Sequence, residues 1–221
     1  MKKVSVTLSA VSLMIVLASQ WAVGQIPPQM TPFSADMQFS GSGRQEREGT
    51  GKLYVAHTHM RMDMQGVGGR GMMSNAVMIT NMATQTSDML MPQQHMYMEF
   101  KAGQQAGPMG RRMGPNIKPL DPANPCANRD EVATCKNMGV EDIDGRSATH
   151  WQVTNQNGKV SNVWIDQKLR FPIKAVDQDS SWKLSNIKEG EPSASLFEIP
   201  SDYQKMDLGT MMKGMPQRPS E

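Results

Sequence analysis

The chain has 221 residues, is 38% hydrophobic and only 5% aromatic, and carries 22 methionines with a formal net charge of +2. Two of its 23 basic residues, Lys2 and Lys3, and none of its 21 acidic ones fall within positions 1–24, so the remainder is formally neutral. That excludes the basic surplus on which nucleic-acid binding depends, and the length suits one domain of ordinary size.

Residues 1–24 read as a cleavable secretory signal. Lys2 and Lys3 form the positive end, Val4 to Ala18 is mostly apolar, and Ala22-Val23-Gly24 places small residues before Gln25, with cleavage expected near Gly24/Gln25. The apolar stretch is short and diluted by Ser and Thr, so it is a poor membrane span. No cysteine lies near the cut, which argues against a lipid anchor. The expectation is a soluble periplasmic or secreted protein with one β-rich domain over 25–208 and a disordered tail over 209–221.

Period-two alternation between turn residues predicts strands near 33–40, 51–57, 60–65, 75–82, 86–91 and 95–100. Over 101–125, glycines and prolines from Gly103 to Pro125 interleave, and no regular core element fits. This segment reads as a flexible surface insertion or as a lid. Asn128 to Lys136 can hold a short helix, with Asn128 as N-cap, Glu131 three residues on and Gly139 as the stop. Further strands are predicted near 140–144, 147–154, 159–166, 172–178, 181–188 and 195–199, with Asn157-Gly158 as a hairpin turn.

Cys126 and Cys135 are the only cysteines. In an oxidising compartment the pair suggests a disulfide. The alternative, a redox-active pair, lacks C-x-x-C spacing and a uniformly electropositive setting.

Alternation puts Met60, Met62 and Met64 on one side of a strand. A four-residue connection at 92–95 pairs Met91 with Met96 and Met89 with Met98, placing all four on one side of a hairpin. The plainest reading makes methionine a core filler. A second makes these seven residues the lining of an adaptable hollow for a lipid, an acyl chain or another apolar ligand. A third is a Cu(I) site, because thioether and imidazole ligands favour that ion and His57, His59 and His95 lie nearby in sequence. On a continuous strand, however, those histidines face away from the methionines.

The motifs H-E-x-x-H, G-x-S-x-G and C-x-x-C are absent, and Gly51-Lys52 lacks the rest of a phosphate loop. Glu141, Asp142 and Asp144 sit before Gly145 in what reads as a hairpin turn. His150 beside Trp151 reads as a strand residue that packs or hydrogen-bonds. Nothing points to an enzyme or to a cofactor.

The chain resembles the LolA-like periplasmic lipoprotein-carrier superfamily, particularly its uncharacterised exported members. The likeness rests on Ser34-Ala35-Asp36-Met37-Gln38-Phe39, on Gly51-Lys52-Leu53-Tyr54-Val55 with Met60-Arg61-Met62-Asp63-Met64, and on His95-Met96-Tyr97-Met98-Glu99. It continues through Val163-Trp164-Ile165-Asp166, Phe171-Pro172-Ile173-Lys174 and Leu196-Phe197-Glu198-Ile199-Pro200-Ser201-Asp202-Tyr203. The resemblance implies a mainly β fold with minor α: a curved antiparallel sheet forming an incomplete half-barrel, covered by a helix or loops. It also implies an acyl-chain hollow, or a domain that senses envelope proteins or lipids. Carriers place an Arg-Pro pair after the G-x-L-x-V strand, whereas this chain has His57-Thr58. Pro27, Pro28 and Pro32 also crowd the place of the carriers' first helix.

Overall fold

Residues 30–41, 47–66, 75–101, 124–127 and 132–206 are described by the structure, a computed structural model. Residues 1–29, most of the Gly/Pro segment and the end of the chain lie outside these ranges, and with them the expected signal and tail.

Two antiparallel meanders account for eleven of the twelve described strands. The first runs β1 (Phe33–Gly41), β2 (Arg47–Val55), β3 (His59–Gln65), β4 (Asn75–Asn81), β5 (Thr86–Met91) and β6 (Met96–Lys101). The second runs β7 (Val132–Ile143), β8 (Arg146–Asn155), β9 (Val160–Asp166), β10 (Phe171–Val176) and β11 (Ser180–Glu189). β11 returns to pair antiparallel with β1, and β12 (Gln204–Lys205) adds parallel to β6. One twelve-stranded sheet results, ordered β12-β6-β5-β4-β3-β2-β1-β11-β10-β9-β8-β7. It is curved and does not close, so β7 and β12 are its edges. The mainly β, incomplete-barrel architecture expected from the sequence is therefore present.

Local chemistry explains the turns. Asp144 and Gly145 both have positive φ (52° and 78°) between β7 and β8, the backbone a two-residue hairpin needs. In the β8–β9 turn, Asn155 Oδ1 accepts from the amides of Asn157 and Lys159, and Gly158 supplies φ 77°.

Two expectations fail. Residues 132–136 form the start of β7, not the end of a helix, and among the described residues there is no α-helix. The helical reading used capping signals, but Cys135 is bonded to Cys126 and Val132–Lys136 pairs with β8, a tertiary pairing that outweighs local preference. The strand expected at 195–199 is a 3-10 turn, Ala194–Phe197. It belongs to a strap, residues 190–206, that crosses the back of the first meander.

Inward-facing residues alternate along β1 and β2, giving a core of Phe33, Ala35, Met37, Leu53 and Val55 with Met60, Trp164, Leu169, Ile173 and Leu184. A second, smaller cluster of Val77, Ile79 and Leu90 lies on the opposite face and is packed by Tyr97 with Phe197, Ile199 and Tyr203 of the strap. β4 therefore buries both faces, which is why Ala76-Val77-Met78-Ile79 reads as an unbroken apolar run.

Candidate functional site

Register sorts the methionines into rows across the sheet. Leu53, Met62, Met78, Met89 and Met98 stand opposite one another on β2 to β6. Met64 stands between Gly51 and Ala76, Met60 between Val55 and Thr80, and Met91 opposite Met96. All seven methionines singled out in the sequence thus share one face, and Met78 joins them. Met60, Met89 and Met91 are buried, whereas Met62, Met64, Met78, Met96 and Met98 are part-buried. Met78 was hidden in the sequence because its neighbours on both sides are also apolar.

Beside these rows lies a hollow of ≈ 740 Å³, within the range that small-molecule sites occupy. Its lining comes from five adjacent strands, β3, β2, β1, β11 and β10, and includes Phe39, Gly49, Gln65, Trp182 and Lys174. None of the seven methionines lines it; the nearest approach in sequence is Met64, next to Gln65. Phe39 and Trp182 are directly opposite one another and give the hollow its aromatic floor.

Glycines make room for this floor. A Cβ on Gly49 would lie 2.2 Å from the Phe39 ring and 2.6 Å from the Gln65 carbonyl oxygen, and one on Gly51 would lie 2.4 Å from the Asp63 carbonyl oxygen. Gly49 and Gly51 therefore let Phe39 and Met37 lie flat against β2. Gly49-Thr50-Gly51 was the available sequence signal for the hollow.

Next to the hollow is a polar cluster. Trp164 Nε1 donates to Glu141 Oε2 (2.7 Å), and His150 Nδ1 lies 2.8 Å from Glu141 Oε1 and its Nε2 2.9 Å from Asn162 Oδ1. The His150 and Trp164 rings stack at 4.3 Å. The Trp164 and His150 hydrogen bonds together hold the Glu141 carboxyl below its ordinary range.

The three histidines considered as copper ligands are placed elsewhere and apart, each against the strap. His57 lies 3.6 Å from Glu191, the His59 ring packs on Phe197 at 5.6 Å, and His95 lies 2.6 Å from Asp202. Among the described residues no group of three His, Cys, Asp or Glu side chains is arranged to hold a metal ion. Cys126 and Cys135 form a disulfide that ties residues 124–127 to edge strand β7, as the cysteine pair suggested. No helix among the described residues is long and apolar enough to cross a membrane.

Comparison with known proteins places this architecture. The family model described as "Domain of unknown function (DUF4412)" matches residues 34–170. No curated protein matches the sequence. Among solved structures, an uncharacterized conserved protein from Thermus thermophilus is similar at TM-score 0.52 and 13% identity, over 80% of this chain and 90% of that one. The Pseudomonas aeruginosa MucA/MucB complex is similar at TM-score 0.50 and 11% identity, over 80% of this chain and 58% of that one. A putative outer membrane lipoprotein-sorting protein domain from Vibrio parahaemolyticus aligns at TM-score 0.40 and 9% identity, over 76% of this chain and 89% of that one. At such identities the likeness to the first two is one of fold alone.

Proposed function

The chain belongs to the DUF4412 family, whose description assigns no activity, and we propose that it is an exported, non-enzymatic binding protein for a lipid, an acyl chain or a similar apolar ligand. One observation carries this reading: an open hollow floored by Phe39 and Trp182 adjoins rows of thioethers on the same sheet. Unbranched, polarizable methionines adapt to a chain of no fixed shape, and an aromatic floor supplies apolar area without polar demands. Export rests on residues 1–24, and the resemblance of the sequence to LolA-like carriers supports carrying or sensing of envelope lipids as the setting.

The test is retention. Protein isolated from its native envelope and examined by native mass spectrometry should carry a lipid-sized adduct, and the neutral probe N-phenyl-1-naphthylamine should brighten on binding. Replacing Phe39 and Met64 by Asp places charges on the floor of the hollow and at the edge of the thioether rows beside it and should abolish both signals, with circular dichroism confirming the sheet. Undiminished retention in that variant sinks the reading.

A second reading is favoured by the β7 edge, where Met138 and Val140 are the large apolar side chains left exposed among the described residues. An envelope protein could add a strand there. Crosslinking from position 140 in the native envelope checks it. The Cu(I) reading is left to the methionines alone, since the histidines are taken up by the strap; anaerobic Cu(I) titration decides it.

A further inference from the structure

We propose that the hollow takes an amphiphile with an anionic head, a carboxylate or a phosphate, and that Lys174 is the residue that meets this head. The inference rests on the apolar-ligand reading and assigns the polar end of its ligand.

Lys174 lines the hollow, and its Nζ lies 4.2 Å from the centre of the Trp164 ring. A π face attracts an ammonium but offers it no hydrogen-bond acceptor, so its donors stay available. Lys174 makes no ion pair with any described residue. Its platform is built: Trp164 is 8% exposed, its indole N–H is spent on Glu141, and the stacked His150 ring is tied to both Glu141 and Asn162. Both oxygens of Glu141, the carboxylate of this cluster, are hydrogen-bonded by His150 and Trp164, so Lys174 acts on it through space and keeps its own donors.

The other charges on the lining do not substitute. Lys183 Nζ is held by Asp144 at 2.8 Å. Glu48 stands on β2, three strand spacings from β10 in the sheet, or about 14 Å at ~4.8 Å per strand. That exceeds the Debye length of about 8 Å at physiological salt. The hollow therefore has a cationic end on β10 and an aromatic floor over β1 and β11. An uncharged apolar ligand covering Lys174 would strip water from an ammonium and return nothing, whereas an anionic head supplies the missing acceptor.

The experiment is competition for bound N-phenyl-1-naphthylamine by ligands sharing one dodecyl chain: dodecanol, dodecanoate, dodecyl phosphate and dodecyltrimethylammonium, with inorganic phosphate added alone. At least one anionic ligand should compete about ten-fold better than dodecanol, the scale of one charge-assisted hydrogen bond. Whichever anion does so identifies the head. Lys174→Gln should bring that ratio close to one, Lys174→Arg should restore it, and Lys183→Gln should leave it in place. Equal competition by dodecanol and both anions, or a ratio that survives Lys174→Gln, overturns the assignment of Lys174 while leaving the hollow as an apolar site. Displacement by inorganic phosphate alone at the same concentration also overturns it, since the chain would then contribute nothing. Failure of every dodecyl ligand to displace the probe overturns both readings together.

Discussion

His95 Nδ1 and Asp202 Oδ2 lie 2.6 Å apart, joining the turn before β6 to the end of the strap. The contact lies among others that fix the same segment: the His95 ring faces Tyr203 at 5.5 Å, and the Gln204 amide donates to the His95 carbonyl oxygen. Both side chains of this contact are more than half exposed, at 62% and 58%, so solvent weakens it. Asp202→Asn should therefore lower the melting temperature by no more than about 2 °C. It should speed hydrogen exchange at the Gln204 and Met206 amides, which hold β12 to β6. Unchanged exchange there would show that the apolar contacts of Phe197, Ile199 and Tyr203 hold the strap by themselves.

Under the strap, Asp88 stands opposite Glu99, and its Oδ1 is buried without a hydrogen-bond partner among the described residues. Burial, and then the Glu99 charge, push the Asp88 carboxyl above its ordinary value of 3.8, while Lys205 of the strap pulls it back. A carboxyl with a raised folded pKa favours the fold most below its unfolded pKa, and that contribution disappears as pH rises through the folded value. At neutral pH the ionised form is thus a liability. Asp88→Asn should raise the melting temperature by about 1–3 °C at pH 7. The gain over wild type should vanish as pH falls below the ordinary Asp value, because there both chains present a neutral side chain. A gain independent of pH would rule out this account.

Most of the architecture was legible from period-two patterns, because a strand with one face buried writes its register into its side chains. The pairing of Met91 with Met96 and Met89 with Met98 follows from the loop length between them, and it stands in the sheet. What could not be read locally was what the back face meets. His57, His59 and His95 looked like candidate ligands because nothing in the sequence indicates that residues 191–203 pass behind them. Likewise Phe39 and Trp182, the hollow's floor, are 143 positions apart and meet only because β11 closes against β1. Lys174 gave no signal of its own; its position depends on the bulge that sets it opposite Trp164.

The Cys126–Cys135 bond tethers the beginning of the exposed edge strand β7. A loop this short limits the entropy removed from the unfolded chain, so the stabilisation belongs at about 2 kcal/mol, the low end of the usual range. Reduction, or Cys126→Ser with Cys135→Ser, should lower the midpoint of urea unfolding accordingly. The local effect should be larger than the global one: amides of Val132 to Lys136 should lose protection while those of β1 and β2 keep theirs. Uniform loss across the sheet would mean that the bond supports the core rather than the edge.

Gly49 offers the sharpest separation of fold from site. Its backbone is ordinary extended strand, so a side chain there is opposed by space and not by φ. The Phe39 ring and the Gln65 carbonyl oxygen both fall inside the distance a Cβ tolerates. Of the two, the ring can rotate away and the backbone oxygen cannot move without disturbing the β2–β3 ladder. Gly49→Ala should therefore destabilise the protein by about 1–3 kcal/mol, as overpacking does elsewhere, and lift Phe39 from its seat into the hollow. Probe binding in the fraction that remains folded should fall several-fold. Phe39→Ala in the Gly49→Ala background should recover part of the lost stability, because the ring no longer competes for the space, yet should leave probe binding weak because the floor is gone. Recovery of both together would place the ligand away from Phe39, over the thioether rows instead.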